Sequence, residues 1–159
     1  MHAQYVTLGA SGEVFGAPVG KVQEILDARP IARLPQMPGH MLGIIDVRGR
    51  TIPVVDLRAA LGFDAAEDTG NTRILVISVA GPEGETTMGV RTDRVFEVTG
   101  LDANALEPAT SGGGAWAADC VAGIGRRNGG FVTVLDFDLL LQDLALQGPT
   151  PQGRDTARP

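Results

Sequence analysis

The sequence predicts a mainly β protein made of two like units that share one core. Short segments rich in Val, Ile and Thr recur between glycine or proline turns, a spacing typical of a sandwich or of small barrels. Residues 43–61 match residues 123–141, 80 positions later, and residues 16–25 match residues 89–98, 73 positions later. Each half of the chain therefore carries the same two blocks in the same order.

Length and composition favour one shared core over two separate domains. The chain has 159 residues, of which 43% are apolar, and a half of about 70 residues would be only marginally stable alone. The net charge of −6 argues against electrostatic binding to nucleic acid or to an anionic membrane, because either partner needs a basic face. We therefore expect interlocked halves that do not bind nucleic acid.

Cysteine usage and hydropathy indicate a cytoplasmic protein. Cys120 is the single cysteine, which excludes an internal disulfide and suits a reducing compartment, and a small buried hydrophobe is its simplest role. No apolar run reaches the ~20 residues of a membrane span. The first ten residues lack the basic and apolar regions of a signal peptide.

The strands follow one another in pairs that are joined by tight turns. Glycine and asparagine tolerate the positive φ of hairpin turns, so turns are predicted at residues 9–12, 48–50, 81–84 and 128–130. The predicted strands are Gln4–Leu8, Glu13–Val19, Leu42–Val47, Thr51–Val55, Arg73–Val79, Thr86–Val90, Cys120–Ile124 and Phe131–Leu135.

Each repeat ends with a change from an extended to a helical pattern. The leucines of residues 56–62 and 136–146 recur at three- and four-residue spacing. Asp56 and Asp136 stand at the change, where a carboxylate can accept the free amides of the first helical turn, so both are predicted N-caps. Pro53 predicts an edge strand or one that faces away from a ladder partner.

The other repeated element, residues 20–25 and 93–98, is predicted to be a short turn that enters a half-buried strand. Its valines and isoleucine are either core residues or the wall of a binding surface, and Glu24 and Glu97 are either solvated or functional. A flexible loop is predicted for residues 102–119, which contain Trp116 and a run of glycines. A proline-rich tail, residues 147–159, is predicted to be disordered after a domain at residues 4–146.

The sequence holds no recognisable catalytic or metal-binding constellation. His2 is terminal and His40 is isolated, so metal-ligand spacing is missing. Asp46 and Asp56 lie on different segments with no second catalytic group beside them. We expect no enzyme activity, no metal and no cofactor.

Four blocks in order resemble the CheW family of bacterial chemotaxis coupling proteins. They are KVQEIL, PGHMLGIIDVRGRTIPVVDLRAALG, GVRTDRVFEV and VAGIGRRNGGFVTVLDFDLLL, and the similarity extends over about residues 4–146. The resemblance implies two interlocked five-stranded SH3-like β-barrels with short helices. This implied fold agrees with the internal duplication.

The resemblance also implies a non-catalytic scaffold. Such a protein joins the cytoplasmic tips of methyl-accepting chemoreceptors to the regulatory domain of the histidine kinase CheA. It is a monomer alone and assembles into rings with the kinase. It would be cytoplasmic and recruited to membrane-associated receptor arrays, without inserting into the membrane.

The family blocks place the binding residues. Arg48 matches the arginine of the Leu-Arg-Gly block and would contact a receptor carboxylate or helix carbonyl, although it also fits an ordinary solvated turn arginine. Asp46 replaces the usual asparagine and is predicted to pair with Arg48 and compete with the partner; Val47 replaces the usual leucine. The receptor-binding candidates are Val22, Glu24, Ile25, Arg48, Val95 and Val98, and the kinase-binding candidates are Gly43 and Arg50.

Three other functions compete with this interpretation. One is a CheW-like adaptor of a non-flagellar system that controls surface motility or development. Another is a small β-barrel that binds single-stranded nucleic acid, although five Phe, one Tyr and one Trp in an acidic chain offer few stacking platforms. The last is an enzyme whose activity depends on Asp46 or Asp56.

Overall fold

Pairs of antiparallel strands dominate the molecule, as the recurring turns predict. The computed structural model describes residues 3–37, 40–81, 84–102, 106–107 and 120–146. Most of the loop predicted for residues 102–119, with Trp116, and the whole tail predicted for residues 147–159 lie outside them. The strands are β1 (Tyr5–Ala10), β2 (Glu13–Pro18), β3 (Val22–Asp27), β4 (Met41–Val47), β5 (Arg50–Asp56), β6 (Arg73–Gly81), β7 (Gly84–Thr92), β8 (Arg94–Thr99), β9 (Val121–Arg127) and β10 (Gly130–Leu135), and the helices are α1 (Leu57–Ala60) and α2 (Phe137–Leu146).

The two halves of the chain are interlocked by an exchange of strands. One five-stranded sheet has the order β8-β1-β2-β10-β9 and the other the order β3-β6-β7-β5-β4. Corresponding strands of the two repeats, such as β1 and β6 or β3 and β8, occupy the same position in their sheets. Each sheet thus takes two strands from one half and three from the other, and the predicted fold of two interlocked five-stranded units is confirmed.

A parallel pair joins the exchanged strands in each sheet. In the first sheet Thr133 of β10 lies opposite Phe15 of β2, and in the second Val54 of β5 lies opposite Gly89 of β7. β5 is therefore an interior strand, so the edge position allowed for Pro53 is wrong. Pro53 lies opposite Ile44 of β4, and the pairing of β5 with β7 begins at the next residue, Val54. The ladder between β5 and β7 therefore does not need the N–H group that proline lacks.

Hairpin geometry confirms three of the predicted turns. Ser11, Arg48 and Asn128 have φ values of 54°, 51° and 54°, and each is followed by a glycine with φ between 82° and 85°. Two consecutive positive φ values match the twist of the flanking strands, which is why glycine occupies the second position. The turn predicted at residues 81–84 includes residues outside the described part of the chain.

The two predicted helix caps differ. Asp136 accepts a hydrogen bond from the Leu139 N–H group at 3.1 Å at the start of α2, which confirms this cap. Asp56 precedes α1 without a side-chain cap bond, so that prediction is wrong. Its buried carboxylate instead lies 3.3 Å from Arg91 Nη1, because the two residues are paired neighbours on β5 and β7.

The core consists of two clusters. The larger joins both sheets through residues such as Leu8, Phe15, Ile77 and Val90, and Phe137 and Leu141 of α2 close it. The smaller belongs to the second sheet alone and is made of Leu26, Ile45, Val47, Ile52, Val54, Ile74 and Val76. Each cluster contains residues from both halves of the chain. The halves therefore share their core, as their marginal individual size requires.

Candidate functional site

The predicted receptor-binding residues lie mainly on two equivalent edge strands. β3 is an edge of the second sheet and β8 is an edge of the first. Each carries a register irregularity at the same repeat position, so that Gln23 and Phe96 are skipped in the pairing with β6 and β1. An irregular edge strand resists pairing with another chain through its backbone and leaves side chains as its means of contact.

The four apolar candidates divide into two kinds. Val22 and Val95 are half-buried and pack against the larger core, so the core interpretation holds for both. Ile25 and Val98 are 40% and 53% exposed, respectively. Both edge strands thus begin at the core shared by the sheets and present large apolar side chains to solvent, Ile25 on β3 and Phe96 and Val98 on β8.

Glu24 and Arg48 form a bidentate ion pair. Arg48 Nη1 donates to Glu24 Oε2 at 2.9 Å, and Nη2 donates to Oε1 at 2.5 Å. The left-handed conformation of Arg48, with φ of 51°, belongs to the β4–β5 turn. The hydrogen bond from Arg48 lowers the pKa of the Glu24 carboxyl, and the same bond raises the pKa of the Arg48 guanidinium.

This ion pair is accessible to a partner. The Arg48 side chain is 73% exposed, so the pair adds little to stability, and a protein carboxylate that approaches it competes with Glu24. Within the described residues the carboxylate that pairs with Arg48 is that of Glu24, and the pair predicted between Arg48 and Asp46 is wrong. Asp46 is exposed on β4, where its backbone lies opposite that of Thr51 on β5.

Gly43 and Arg50, the predicted kinase-binding residues, have different surroundings. Gly43 is buried with φ of 149°, and a Cβ atom there would lie 2.1 Å from the carbonyl oxygen of Ala32. It therefore offers a backbone conformation and no side chain to a partner. Arg50 is exposed at the start of β5, where its Nη2 donates to Thr87 Oγ1 at 3.0 Å. The role of Gly43 and Arg50 in kinase binding stays a prediction.

Two ion pairs that sequence reasoning missed join the halves. Arg58 of α1 donates to both oxygens of Asp93, which precedes β8, at 2.8–3.1 Å. Lys21, which precedes β3, donates to Asp138 of α2 at 2.7 Å. Arg58 and Asp138 are equivalent at the 80-residue offset and have opposite charges, whereas their partners Asp93 and Lys21 are one position apart in the repeat. This inversion of charge at the 80-residue offset was the available signal.

These links shift the pKa values of both aspartates. For Asp93 desolvation raises the pKa, but hydrogen bonds from Arg58 and from the Ser11 N–H group more than offset it, and the pKa is lowered. Desolvation likewise raises the pKa of Asp138, whereas bonds from Lys21 and the Ala80 N–H group produce a net lowering. Both carboxylates are therefore held ionised at positions that fix the edge strands.

The remaining buried charges are used to position a loop. Arg91 lies between Asp56 and Asp68, with Nε 2.6 Å from Asp68 Oδ1, and Nη2 donates to the Ala66 carbonyl at 2.8 Å. The Arg91 side chain is 8% exposed. Both carboxylates are thus occupied by one permanent cation, which suits the anchoring of residues 63–69 rather than acid–base chemistry.

The described part of the chain shows neither a metal cluster nor a membrane-spanning helix. No group of three or more His, Cys, Asp or Glu side chains there is arranged to hold a metal ion. No helix among the same residues is long and apolar enough to cross a membrane.

Comparison with known proteins places the chain in a family. The family model described as "CheW-like domain" matches residues 4–145. The chain is 28% identical over 142 residues to the chemotaxis protein CheW of Klebsiella aerogenes, covering 88% of this chain and 82% of the relative. It is 31% identical to the protein FrzA of Myxococcus xanthus, over 80% and 78% of the two chains.

A solved structure agrees with this match. The crystal structure of the scaffolding protein TtCheW from Thermoanaerobacter tengcongensis superposes with a TM-score of 0.77 at 25% identity, covering 89% of this chain and 93% of that one. The strand exchange, the duplicated blocks and the family match thus agree over nearly the whole chain. The protein belongs to the CheW-like domain family.

Proposed function

We propose that this protein is a non-catalytic adaptor that couples the cytoplasmic tips of chemoreceptors to the histidine kinase CheA. The observation that carries the proposal is the preformed Glu24–Arg48 pair beside the exposed Ile25 on an irregular edge strand. Membership of the CheW-like family and the similarity to a scaffolding CheW support a chemotaxis coupling adaptor.

The receptor contact combines an apolar wall with a charged rim. A receptor tip is a helical hairpin, and an amphipathic helix binds through apolar anchors one turn apart. The exposed Ile25 and Val98, backed by the half-buried Val22 and Val95, provide such anchors on the two edge strands. Arg48 then exchanges its bond to Glu24 for one to a carboxylate of the helix, so the contact is specific at a small net cost.

The kinase contact is proposed at the β4–β5 hairpin. Arg50 presents an exposed guanidinium there, held toward Thr87, and Gly43 sets the path of β4 on which the hairpin depends. A kinase surface of the same fold would meet Arg50 directly and Gly43 only through the backbone. Localisation at membrane-associated arrays follows from these two contacts, which need no insertion into the bilayer.

The test measures both contacts separately by calorimetric titration. The wild-type chain is titrated with a receptor-tip fragment and with the regulatory domain of the CheA-like kinase from the same organism. Arg48→Glu should weaken receptor binding at least tenfold, because it places two carboxylates side by side and leaves Glu24 unpaired. Arg50→Glu should weaken kinase binding and leave receptor binding intact.

Arg33→Glu is the control, since it makes the same charge change at an exposed arginine that belongs to neither proposed contact. It should leave both titrations unchanged. Unaltered receptor binding by Arg48→Glu would remove Arg48 from the site. Absence of saturable heat with either partner for the wild-type chain would end the coupling proposal and leave only the fold.

A second candidate is an adaptor of a different chemosensory array. The chain is similar to FrzA of Myxococcus xanthus, which is not named as a chemotaxis protein. This similarity favours retaining the second candidate. The same titrations with the kinases of each array in the organism decide between the two, because the cognate kinase should bind most tightly. A deletion strain that swims normally but loses surface motility would support this second candidate.

A further inference from the structure

The two sheets carry different residues at positions that the repeat makes equivalent. Val47 is 5% exposed and belongs to the smaller core cluster of the second sheet. Its equivalent in the first sheet, 80 positions later, is Arg127 at the end of β9. The first sheet therefore has a charged side chain where the second has a packed apolar one.

A cavity of about 180 Å³ opens beside Arg127 in the first sheet. Its walls are mostly apolar and include Val14 of β2, Phe96 of β8, and Phe131 and Val132 of β10. Phe96 and Phe131 are 46% and 61% exposed, although their equivalents in the first repeat are polar, Gln23 and Thr51. We call this site the Arg127 pocket.

Arg127 has an unused hydrogen-bond donor in this pocket. Its Nε atom is buried and has no hydrogen-bond partner. The Glu97 carboxylate lies 3.6 Å from Nε, which is close enough for electrostatic attraction but too long for a hydrogen bond. Because a buried donor without an acceptor is costly, Arg127 gains a hydrogen bond if its side chain turns toward an acceptor that enters the pocket.

Two further arginines border the pocket and are held in place by its aromatic rings. The Arg94 guanidinium lies 4.8 Å from the ring centre of Phe96, and that of Arg126 lies 4.7 Å from the ring centre of Phe131. Stacked guanidiniums keep their N–H edges available for an anionic partner. Three arginines and two glutamates, Glu97 and Glu107, thus lie around one apolar cavity, which leaves one net positive charge on this surface of a chain of net charge −6.

We propose that the Arg127 pocket binds a short acidic segment of a partner protein, in which a carboxylate flanks a leucine or phenylalanine side chain. The apolar side chain enters the cavity against Val14 and Val132. Arg127 turns toward the neighbouring carboxylate, which then accepts its Nε–H and meets the edge of Arg94. This surface is separate from the Glu24–Arg48 pair, which belongs to the other sheet.

Charge and ring accessibility favour a peptide over single-stranded nucleic acid. Bases stack on open aromatic faces, but a guanidinium already lies over each of the two rings. Glu97 and Glu107 stand beside the arginines and repel a strand that carries a phosphate at every nucleotide. A peptide with one or two well-placed carboxylates avoids most of this repulsion.

The test is a titration of the full chain, labelled with nitrogen-15 and followed by amide chemical shifts. The probe is the blocked pentapeptide acetyl-Gln-Asp-Phe-Asp-Gln-amide, compared with its Gln-Asn-Phe-Asn-Gln and Gln-Lys-Phe-Lys-Gln counterparts and with an eight-nucleotide thymidine strand. We expect saturable shifts in β8, β9 and β10 for the acidic peptide. Binding should weaken with added salt and be at least tenfold weaker for the two counterparts.

Two variants locate the binding. Arg127→Leu should fold, because the apolar Val47 fills the equivalent position, and it should bind the acidic peptide at least tenfold more weakly. Phe131→Thr, which installs the residue of the first repeat, should do the same without changing a charge. Arg48→Ala is the matched control, since it removes one positive charge from the other sheet and should leave peptide binding unchanged.

Three outcomes would overturn the proposal: no saturable shift with the acidic peptide, equal affinity for the wild type and Arg127→Leu, or tighter binding of the thymidine strand than of the peptide. The last result would assign the pocket to nucleic acid. The titration contains neither receptor nor kinase, so its result is independent of the coupling function.

Discussion

Replacing Gly43 by alanine tests whether this glycine is fixed by the backbone or by a partner. Its φ of 149° is strained for any side chain, and an added Cβ would lie 2.1 Å from the Ala32 carbonyl oxygen and 2.8 Å from Ile31 Cγ2. Ala32 and Ile44 exchange two backbone hydrogen bonds here, of 2.8 and 2.9 Å, which attach the segment after β3 to β4. The substitution must therefore displace this segment.

The magnitude follows from these contacts. Backbone strain contributes about 1–3 kcal/mol. The two lost hydrogen bonds contribute about 0.5–1.5 kcal/mol each. We expect the free energy of unfolding to fall by about 4 kcal/mol, which lowers Tm by about 8–16 °C for a chain of this size.

Urea and thermal unfolding followed by far-ultraviolet circular dichroism measure this change. Gly20→Ala is the control, because a Cβ at Gly20 meets nothing within 4 Å and no positive φ is required there. It should change stability by no more than about 0.5 kcal/mol. A loss below about 1 kcal/mol for Gly43→Ala, with an unchanged denaturant slope, would show that the segment relaxes easily and would refute the reasoning.

Three further predictions concern the ion pairs between the halves and the packing of α2. Arg58→Ala and Asp93→Ala should show a coupling of about 1 kcal/mol in a double-mutant cycle of urea unfolding, and strict additivity would contradict the link. The lowered pKa values of Asp93 and Asp138 stabilise the fold above the ordinary aspartate pKa of 3.8, and this contribution is lost as the pH falls through the folded-state values. Urea midpoints between pH 6 and 2 should therefore decline less steeply for Asp93→Asn. Leu141→Ala, at a fully buried site, should cost about 2–5 kcal/mol, whereas Leu139→Ala, at a site 49% exposed, should cost little; equal losses would refute the packing of α2.

Local patterns predicted the elements of the fold well because local physics decides them. The turns at Ser11, Arg48 and Asn128 require positive φ at two positions, and glycine at the second reveals this in the sequence. The Asp136 cap is equally local, since its carboxylate reaches only three residues along the chain. Asp56 looked the same in sequence, but its carboxylate lies nearer to Arg91, 35 residues away, which no local pattern contains.

The candidate site was predicted in part. The family blocks identified Glu24 and Arg48, which the structure brings into contact, and the exposed Ile25 and Val98. They did not distinguish these from the half-buried Val22 and Val95, since alternation alone does not tell which face a neighbouring sheet covers. Gly43 was assigned to a partner surface, although its immediate constraint is the Ala32 carbonyl oxygen.

The sequence by itself determined that the protein is two copies of one β-rich unit, because the duplicated turns, strands and helix starts depend on interactions between residues close together in the chain. Only the tertiary structure decided that the copies exchange strands, that Arg58 and Lys21 each bond to an aspartate of the second copy, and that Val47 is packed in a core cluster while Arg127 borders a cavity. These features depend on contacts between residues far apart in the chain. Such contacts arise when each half buries its apolar face against the other, and no single segment encodes them.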